Sequence, residues 1–318
     1  MCWAVTRSGE SCFAPEESMR IRLIFAVLAL IAQSAAFAEP SRQVEIVATG
    51  IGFGEGTVFV GEQLYFVDYA ASTIYRLDDR RPSVVRSMEG CGANGLLSYK
   101  GELLVACYDS GTVQQVTIEG KFIQSIDRAS TGAKFVRPND LARANRDGVY
   151  FTASGGEDGV PGKVFYMSNL NAKPREVASA IQNANGIAVS PDGKVLYVGE
   201  STTDKILQYD IASDGSLLNR RDLVALDKEL TATQGRHTPD GIRTDRLGRI
   251  FVSLYNGGGF AIFNANGRLM ADIPLPGEHH ANLALSPDEK YVFGTIANSS
   301  TAAGQAGAIY RTLNPQPN

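Results

Sequence analysis

The sequence predicts an all-β fold, a six-bladed β-propeller, and three observations carry that prediction. The chain has 33 Gly spread along 318 residues and 12 Tyr with 14 Phe, a pattern of many short strands between tight turns. A unit of two adjacent strands recurs six times. No amphipathic helical pattern of ten to fifteen residues alternates with the strands, which argues against an α/β fold.

The six units start at Glu55, Asn94, Asn139, Asn185, Asp240 and Asn282, which lie 39, 45, 46, 55 and 42 residues apart. Each begins with a short inner strand, such as Asn185-Gly186-Ile187-Ala188-Val189. A turn follows, then an aliphatic and aromatic strand such as Val195-Leu196-Tyr197-Val198. A third strand is visible at Thr73–Leu77, Gly162–Tyr166, Lys205–Tyr209, Phe260–Phe263 and Ala308–Arg311. Turn pairs fall between them at Asp147-Gly148, Asp192-Gly193, Leu247-Gly248 and Asn266-Gly267. Units of this length with about four short strands each are the signature of a propeller. Val44–Ala48 is expected to add the outer strand of the last blade and so close the ring, since closure hides open edges. A WD40 propeller is excluded by the lack of any Trp-Asp pair; the single Trp is Trp3.

The stretch from Met19 to Ala38 has a basic start, an apolar run and Ala36-Phe37-Ala38, in the order of a secretory signal peptide. The expected organisation is a signal over 1–38, with translation starting at Met19, and a single propeller domain over 39–318. The expected location is the periplasm or the exterior, with no membrane association after cleavage. Cys91 and Cys107 then lie in an oxidising compartment. A Lys100-Gly101 hairpin turn brings them near each other, so a disulfide and two buried thiols both remain open.

Thirty basic against 34 acidic residues give a net charge of −4, and no run of five like charges occurs. That excludes a nucleic-acid partner read through a basic stripe. The chain is expected to act as a monomer. Gly50–Gly56 lacks both the dinucleotide spacing and a following helix, so it is no nucleotide loop. No His-Glu-x-x-His and no Gly-x-Ser-x-Gly occurs.

The innermost strand of each propeller blade lines the central channel, so the six starting residues converge at one mouth. Two carboxylates and up to four amides facing one cavity form an oxygen cage. Hard cations such as Ca²⁺ accept both donor types, and the cage lacks the soft or imidazole donors that favour Zn²⁺. Asn-Gly and Asp-Gly are also ordinary turn formers. That explains single cases, but not why the polar residue precedes the inner strand in all six units, nor why Glu55 does so. His279 and His280 are expected in a loop over the mouth, with His280 facing substrate.

Glu55-Gly56, Arg137-Pro138-Asn139-Asp140, Asn185-Gly186-Ile187-Ala188 with Ser190-Pro191-Asp192-Gly193, and Pro239-Asp240-Gly241-Ile242 together resemble the gluconolactonase/senescence-marker (regucalcin-like) family. The resemblance spans nearly all of 39–318. It implies one divalent metal in the channel, Ca²⁺ first and Zn²⁺ or Mn²⁺ as alternatives, held by Glu55, Asn139, Asn185 and Asp240. It also implies hydrolysis of a small-molecule lactone or related ester. Arg137 would contact substrate oxygens, and Asp240 or Asp140 would be the catalytic carboxylate. Glu157, in the stretch matched to the family's substrate loop, is a further expected substrate contact. Asn94 has no firm role in the family and is expected to contact substrate from its place at the channel mouth. The Ser154–Glu157 stretch matches the family's substrate loop only loosely, and the loop 227–236 is longer than the pattern. Two other readings follow from the same cage: a phosphotriesterase-type hydrolase, and a non-catalytic propeller binding a ligand or protein at the channel mouth.

Overall fold

The computed structural model describes residues 43–156, 159–230, 236–297 and 307–316, so the expected signal peptide and Glu157 lie outside the described residues. The described chain forms six four-stranded antiparallel sheets. Blade 1 is β2 (Gly54–Val60), β3 (Gln63–Asp68), β4 (Thr73–Asp78) and β5 (Arg81–Ser87). Blade 2 is β6 (Ala93–Tyr99), β7 (Glu102–Cys107), β8 (Thr112–Thr117) and β9 (Phe122–Ile126). Blade 3 is β10 (Pro138–Arg143), β11 (Val149–Ala153), β12 (Gly162–Met167) and β13 (Arg175–Ile181). Blade 4 is β14 (Ala184–Val189), β15 (Val195–Glu200), β16 (Lys205–Ile211) and β17 (Leu217–Ala225). Blade 5 is β18 (Pro239–Thr244), β19 (Ile250–Leu254), β20 (Gly259–Phe263) and β21 (Leu269–Pro274). Blade 6 is β22 (His279–Leu285), β23 (Tyr291–Ala297) and β24 (Gly307–Leu313), with β1 (Glu45–Ile51) as its outer strand. The first and last strands therefore share one sheet and close the ring, as the sequence pattern predicts.

Strand ladders pair only within each blade, and apolar side chains fill the space between neighbouring sheets. Leu104, Phe135, Phe151 and Phe165 fill the space between blades 2 and 3, and Ile206, Val224, Ile242 and Phe263 that between blades 4 and 5. Val, Ile and aromatic side chains suit this role because they stand off a pleated surface and interdigitate with the next sheet. The strand residues Leu64, Phe66, Leu196, Val198, Ile250 and Val252 are all buried there.

Lys100 (φ +52°) and Gly101 (φ +82°) form the two-residue turn of the β6–β7 hairpin, both left-handed as a primed turn requires. The resulting register puts Cys107 opposite Ala93, and Cys91 reaches back to it: the two form a disulfide with Cα atoms 4.6 Å apart. The loop expected at 227–236 begins with a single helical turn, α1 (Leu226–Glu229).

Candidate metal and substrate site at the channel mouth

The inner strands β2, β6, β10, β14, β18 and β22 each break register within their first residues, between Glu55 and Val58, Ala93 and Leu96, Pro138 and Leu141, Ala184 and Ile187, Pro239 and Ile242, and His280 and Asn282. The six polar starting residues sit in or at the edge of these bulges. A bulge leaves a residue unpaired and re-aims its side chain, which frees these groups to turn toward the axis. Glycine after the polar residue lets the next blade approach: a Cβ on Gly56 would lie 2.2 Å from the Asn94 carbonyl oxygen, and one on Gly186 would lie 1.9 Å from that of Asp240.

Hydroxyls at the ends of the second strands hold the bulged segments, a role the sequence reading missed. Thr152 Oγ1 accepts from the Asp140 amide (3.1 Å) and donates to the Asn185 carbonyl of the next blade (2.7 Å). Ser253 Oγ donates to the Ala281 carbonyl (2.7 Å), and Thr295 Oγ1 accepts from the Asn282 amide (3.0 Å). The signal was in the repeat itself, since three of the six second strands carry Thr or Ser at the matching place.

A cavity of about 350 Å³ opens at this mouth, lined by Glu55, Asn94, Asn139, Asn185 and Asp240 together with Ser201, Thr238 and an aromatic group. Five of the six starting residues thus converge. Glu55 and Asp240 are 4% and 6% exposed, and among the described residues neither forms an ion pair. Burial first, then repulsion from Asp140, pushes the Glu55 carboxyl up to about 8. Burial and the Glu55 charge push Asp240 well above the usual carboxylate range, although Asn185 donates to it. The Asn185 Oδ1 atom is buried with no hydrogen-bond partner. Two uncompensated buried carboxylates beside an orphaned amide oxygen are poorly satisfied by the protein alone. The donor set is all oxygen, and it fits a hard divalent cation. Among the described residues no group of three or more His, Cys, Asp or Glu forms, so a cation held here would take amide oxygens beside the two carboxylates.

Asp140 does not line the cavity. It is 1% exposed, and its Oδ2 accepts from Arg243 Nη1 at 2.8 Å. Asn282 is likewise behind the cavity wall, where its Oδ1 accepts from Thr57 Oγ1 (3.0 Å) and Arg243 Nη2 (3.1 Å) and its Nδ2 points to Glu55 Oε2 (3.4 Å). His280 corrects the expectation for it: it is 0% exposed, packed edge-on against Phe260, and burial holds its imidazole down at about 4. The strand pleat puts His279 on the opposite side, stacked on Tyr255 with ring centroids 4.3 Å apart.

That stack begins an unforeseen aromatic arc. Tyr255 meets Phe53 (6.2 Å), Phe53 meets Tyr69 (5.9 Å), Tyr69 meets Tyr108 (6.0 Å), and the Arg137 guanidinium lies 5.6 Å from the Tyr108 ring. Asp68 fixes Phe53 by accepting from the Gly52 and Phe53 amides at 2.7 and 3.0 Å. Arg137 has φ +58°, an unusual conformation for a non-glycine residue, of the kind found at functional sites. It lines a second cavity of about 590 Å³, with Ser154, Gly155, Gln182 and Thr202; Tyr108 and Asn183 line both cavities and join them. The arc escaped sequence reading because its members come from separate loops with no common spacing.

A closed six-bladed ring with a carboxylate–amide cage at one mouth defines the class of protein. The SMP-30/gluconolactonase/LRE-like family model matches residues 53–298, and the chain belongs to that family. Among similar proteins, the lactonase drp35 of Staphylococcus aureus (strain USA300) is 27% identical over 267 residues, covering 79% of each chain. A gluconolactonase structure from Xanthomonas campestris superposes with a TM-score of 0.72 at 19% identity, covering 88% of this chain and 93% of that one. A calcium-binding regucalcin from Agrobacterium tumefaciens gives 0.67 at 15% identity, covering 87% and 96%. These structures share the six-bladed fold.

Proposed function

We propose that the chain is a lactone hydrolase that works with one divalent cation, Ca²⁺ first and Mn²⁺ or Zn²⁺ as alternatives, held by Glu55, Asp240, Asn185 and Asn139. The observation that carries this reading is the buried pair Glu55 and Asp240 facing the orphaned Asn185 Oδ1. The lactonase and gluconolactonase relatives support the substrate class, and the regucalcin neighbour supports the cation. When bound, the cation supplies Lewis-acid polarisation of the carbonyl and acidifies water.

The chain's own residues do the rest. Asp240, in the cavity wall, takes a proton from the attacking water as its oxygen adds to the lactone carbonyl carbon. The ring C–O bond then breaks, and the same proton passes from Asp240 to the leaving ring oxygen, giving a hydroxy acid. Arg137 binds the developing carboxylate or ring oxygens from the joined side cavity. The rings of Tyr255, Phe53, Tyr69 and Tyr108 shield one side of the mouth from water. Asp140 is not the base in this scheme, because its carboxylate is engaged by Arg243.

Export belongs to the same proposal and is supported by the Cys91–Cys107 bridge, since such bonds persist in oxidising compartments. N-terminal sequencing of secreted protein should start at Glu39.

The deciding experiment is turnover of a lactone panel by purified protein with chelator, then with Ca²⁺, Mn²⁺ or Zn²⁺ restored. Glu55→Gln and Asp240→Asn should abolish both cation binding by calorimetry and turnover, with the fold intact by circular dichroism. Arg137→Ala should keep the cation and lose kcat/KM. Wild-type cation affinity in both carboxylate variants would refute the cage.

A further inference from the structure

The channel holds a charged group that the scheme above leaves unused. Arg243 stands on β18 in blade 5, and its partner Asp140 stands on β10 in blade 3. Blade 4 lies between them in the ring, so their ion pair crosses the channel. The guanidinium is spanned across three elements. Nη1 donates to Asp140 Oδ2 (2.8 Å) and to its neighbour's carbonyl, Ile242 O (2.7 Å), while Nη2 donates to Asn282 Oδ1 (3.1 Å).

Asn282 transmits that contact. Its Oδ1 also accepts from Thr57 N (3.2 Å), Thr57 Oγ1 (3.0 Å) and the Leu283 amide (3.0 Å). Donors around the oxygen leave the amide one orientation, with Nδ2 toward Glu55 Oε2 at 3.4 Å. A path of hydrogen bonds therefore runs from Asp140 through Arg243 and Asn282 to a carboxylate of the cage. Arg243 is a fork with fixed geometry, which suits it to hold two partners at once where a lysine could not.

We propose that Arg243 is a positioning residue of the cation site: pinned by Asp140, it orients Asn282 onto Glu55, and it keeps the Asp140 carboxylate out of the ligand set. This rests on the cage reading of Glu55 and Asp240. With Arg243 paired to Asp140, two negative charges remain to face a divalent cation, so the occupied channel is balanced. The role of Asp140 is then to hold and neutralise Arg243 rather than to touch cation or substrate.

The test is Ca²⁺ calorimetry on wild type, Asp140→Asn, the double variant Asp140→Asn/Arg243→Gln, and Arg243→Lys, each with a cation-free melting curve. In Asp140→Asn the guanidinium loses its counter-charge beside Glu55, and Ca²⁺ affinity should fall roughly tenfold or more, as an uncompensated unit charge in a weakly polar channel implies. Removing that charge in the double variant should restore part of the loss, the remaining deficit being that of the missing fork, and a merely structural role would give no such rescue. Arg243→Lys keeps the charge but not the fork, and affinity should fall by about three- to tenfold, the range of a lost second-layer contact to a metal ligand. It carries the test if Asp140→Asn does not fold. Wild-type affinity in Asp140→Asn or in Arg243→Lys overturns the proposal. So does a double variant as weak as Asp140→Asn, since Asp140 would then act on the cation directly. A wild-type chain that binds no Ca²⁺, Mn²⁺ or Zn²⁺ overturns the cage and this inference together, whereas binding by wild type without rescue overturns this inference alone.

Discussion

Gly186→Ala tests whether the close approach of blades 4 and 5 builds the site. A Cβ at position 186 would lie 1.9 Å from the Asp240 carbonyl oxygen, 2.7 Å from Ile242 N and 2.9 Å from the Gly241 carbonyl carbon. All three are backbone atoms, so no side chain can swing aside. Bringing the closest contact to 3.0 Å requires β14 and β18 to separate by at least 1.1 Å at this point. Overpacking of this kind costs about 1–3 kcal/mol. For a domain of this size that lowers the melting temperature by roughly 3–10 °C. The same movement parts Asn185 from Asp240, and cation sites tolerate only about 0.2 Å. Cation affinity should fall further than stability.

Gly199→Ala is the control. It faces the same blade, but its Cβ would meet Pro239 Cβ at 3.4 Å and Ile242 Cδ1 at 3.5 Å, ordinary contacts. It should be neutral or slightly stabilising, because alanine restricts the unfolded chain. Scanning calorimetry and Ca²⁺ titration of both variants decide the matter. If Gly186→Ala melts within 1 °C of wild type and binds the cation equally well, the argument from backbone contact is wrong.

Cation-free protein should lose stability as the pH rises from about 6.5 to 8: folded Glu55 keeps a proton that the unfolded chain has released, a slope worth about 2 kcal/mol over that window. His280 has the opposite sign, its folded value near 4 adding stability up to about 6.5 and none beyond. Urea unfolding across this range should show the fall in wild type and a smaller one in Glu55→Gln, where buried Asp240 still adds a loss of the same sign; a flat wild-type profile would refute it. Replacing Cys91 and Cys107 by alanine should cost about 3 kcal/mol for a loop closed across 16 residues, and a loss below 1 kcal/mol in urea unfolding would contradict that. Asp245→Asn should cost about 3–5 kcal/mol, because it strands Arg249, whose Nε donates to Asp245 Oδ2 at 2.6 Å in a buried pair. This pair lies away from the cage, so Ca²⁺ affinity should be unchanged; a shift there would show that it couples to the site.

Propeller architecture was legible in the sequence because it is periodic. Six units, each carrying alternating apolar strands and turn residues at matching places, leave few ways to bury their faces other than side by side in a ring. Val44–Ala48 was legible for the same reason, as the one strand left without a sheet. The convergence of Glu55, Asn94, Asn139, Asn185 and Asp240 followed from the repeat, since equivalent positions in a closed ring point to one axis. Contacts between unlike positions were not legible. Arg243 reads as an ordinary strand residue until the ring brings it across the channel to Asp140 and Asn282, 103 and 39 residues away. His279 and His280 differ by one step of the pleat, and only the placement of β22 against blade 5 decides which is buried on Phe260 and which stacks on Tyr255. The aromatic arc and the Cys91–Cys107 bond depend on loop ends meeting in space. Periodicity specifies what repeats, while side-chain partners between blades are set by packing, which has no period in the chain.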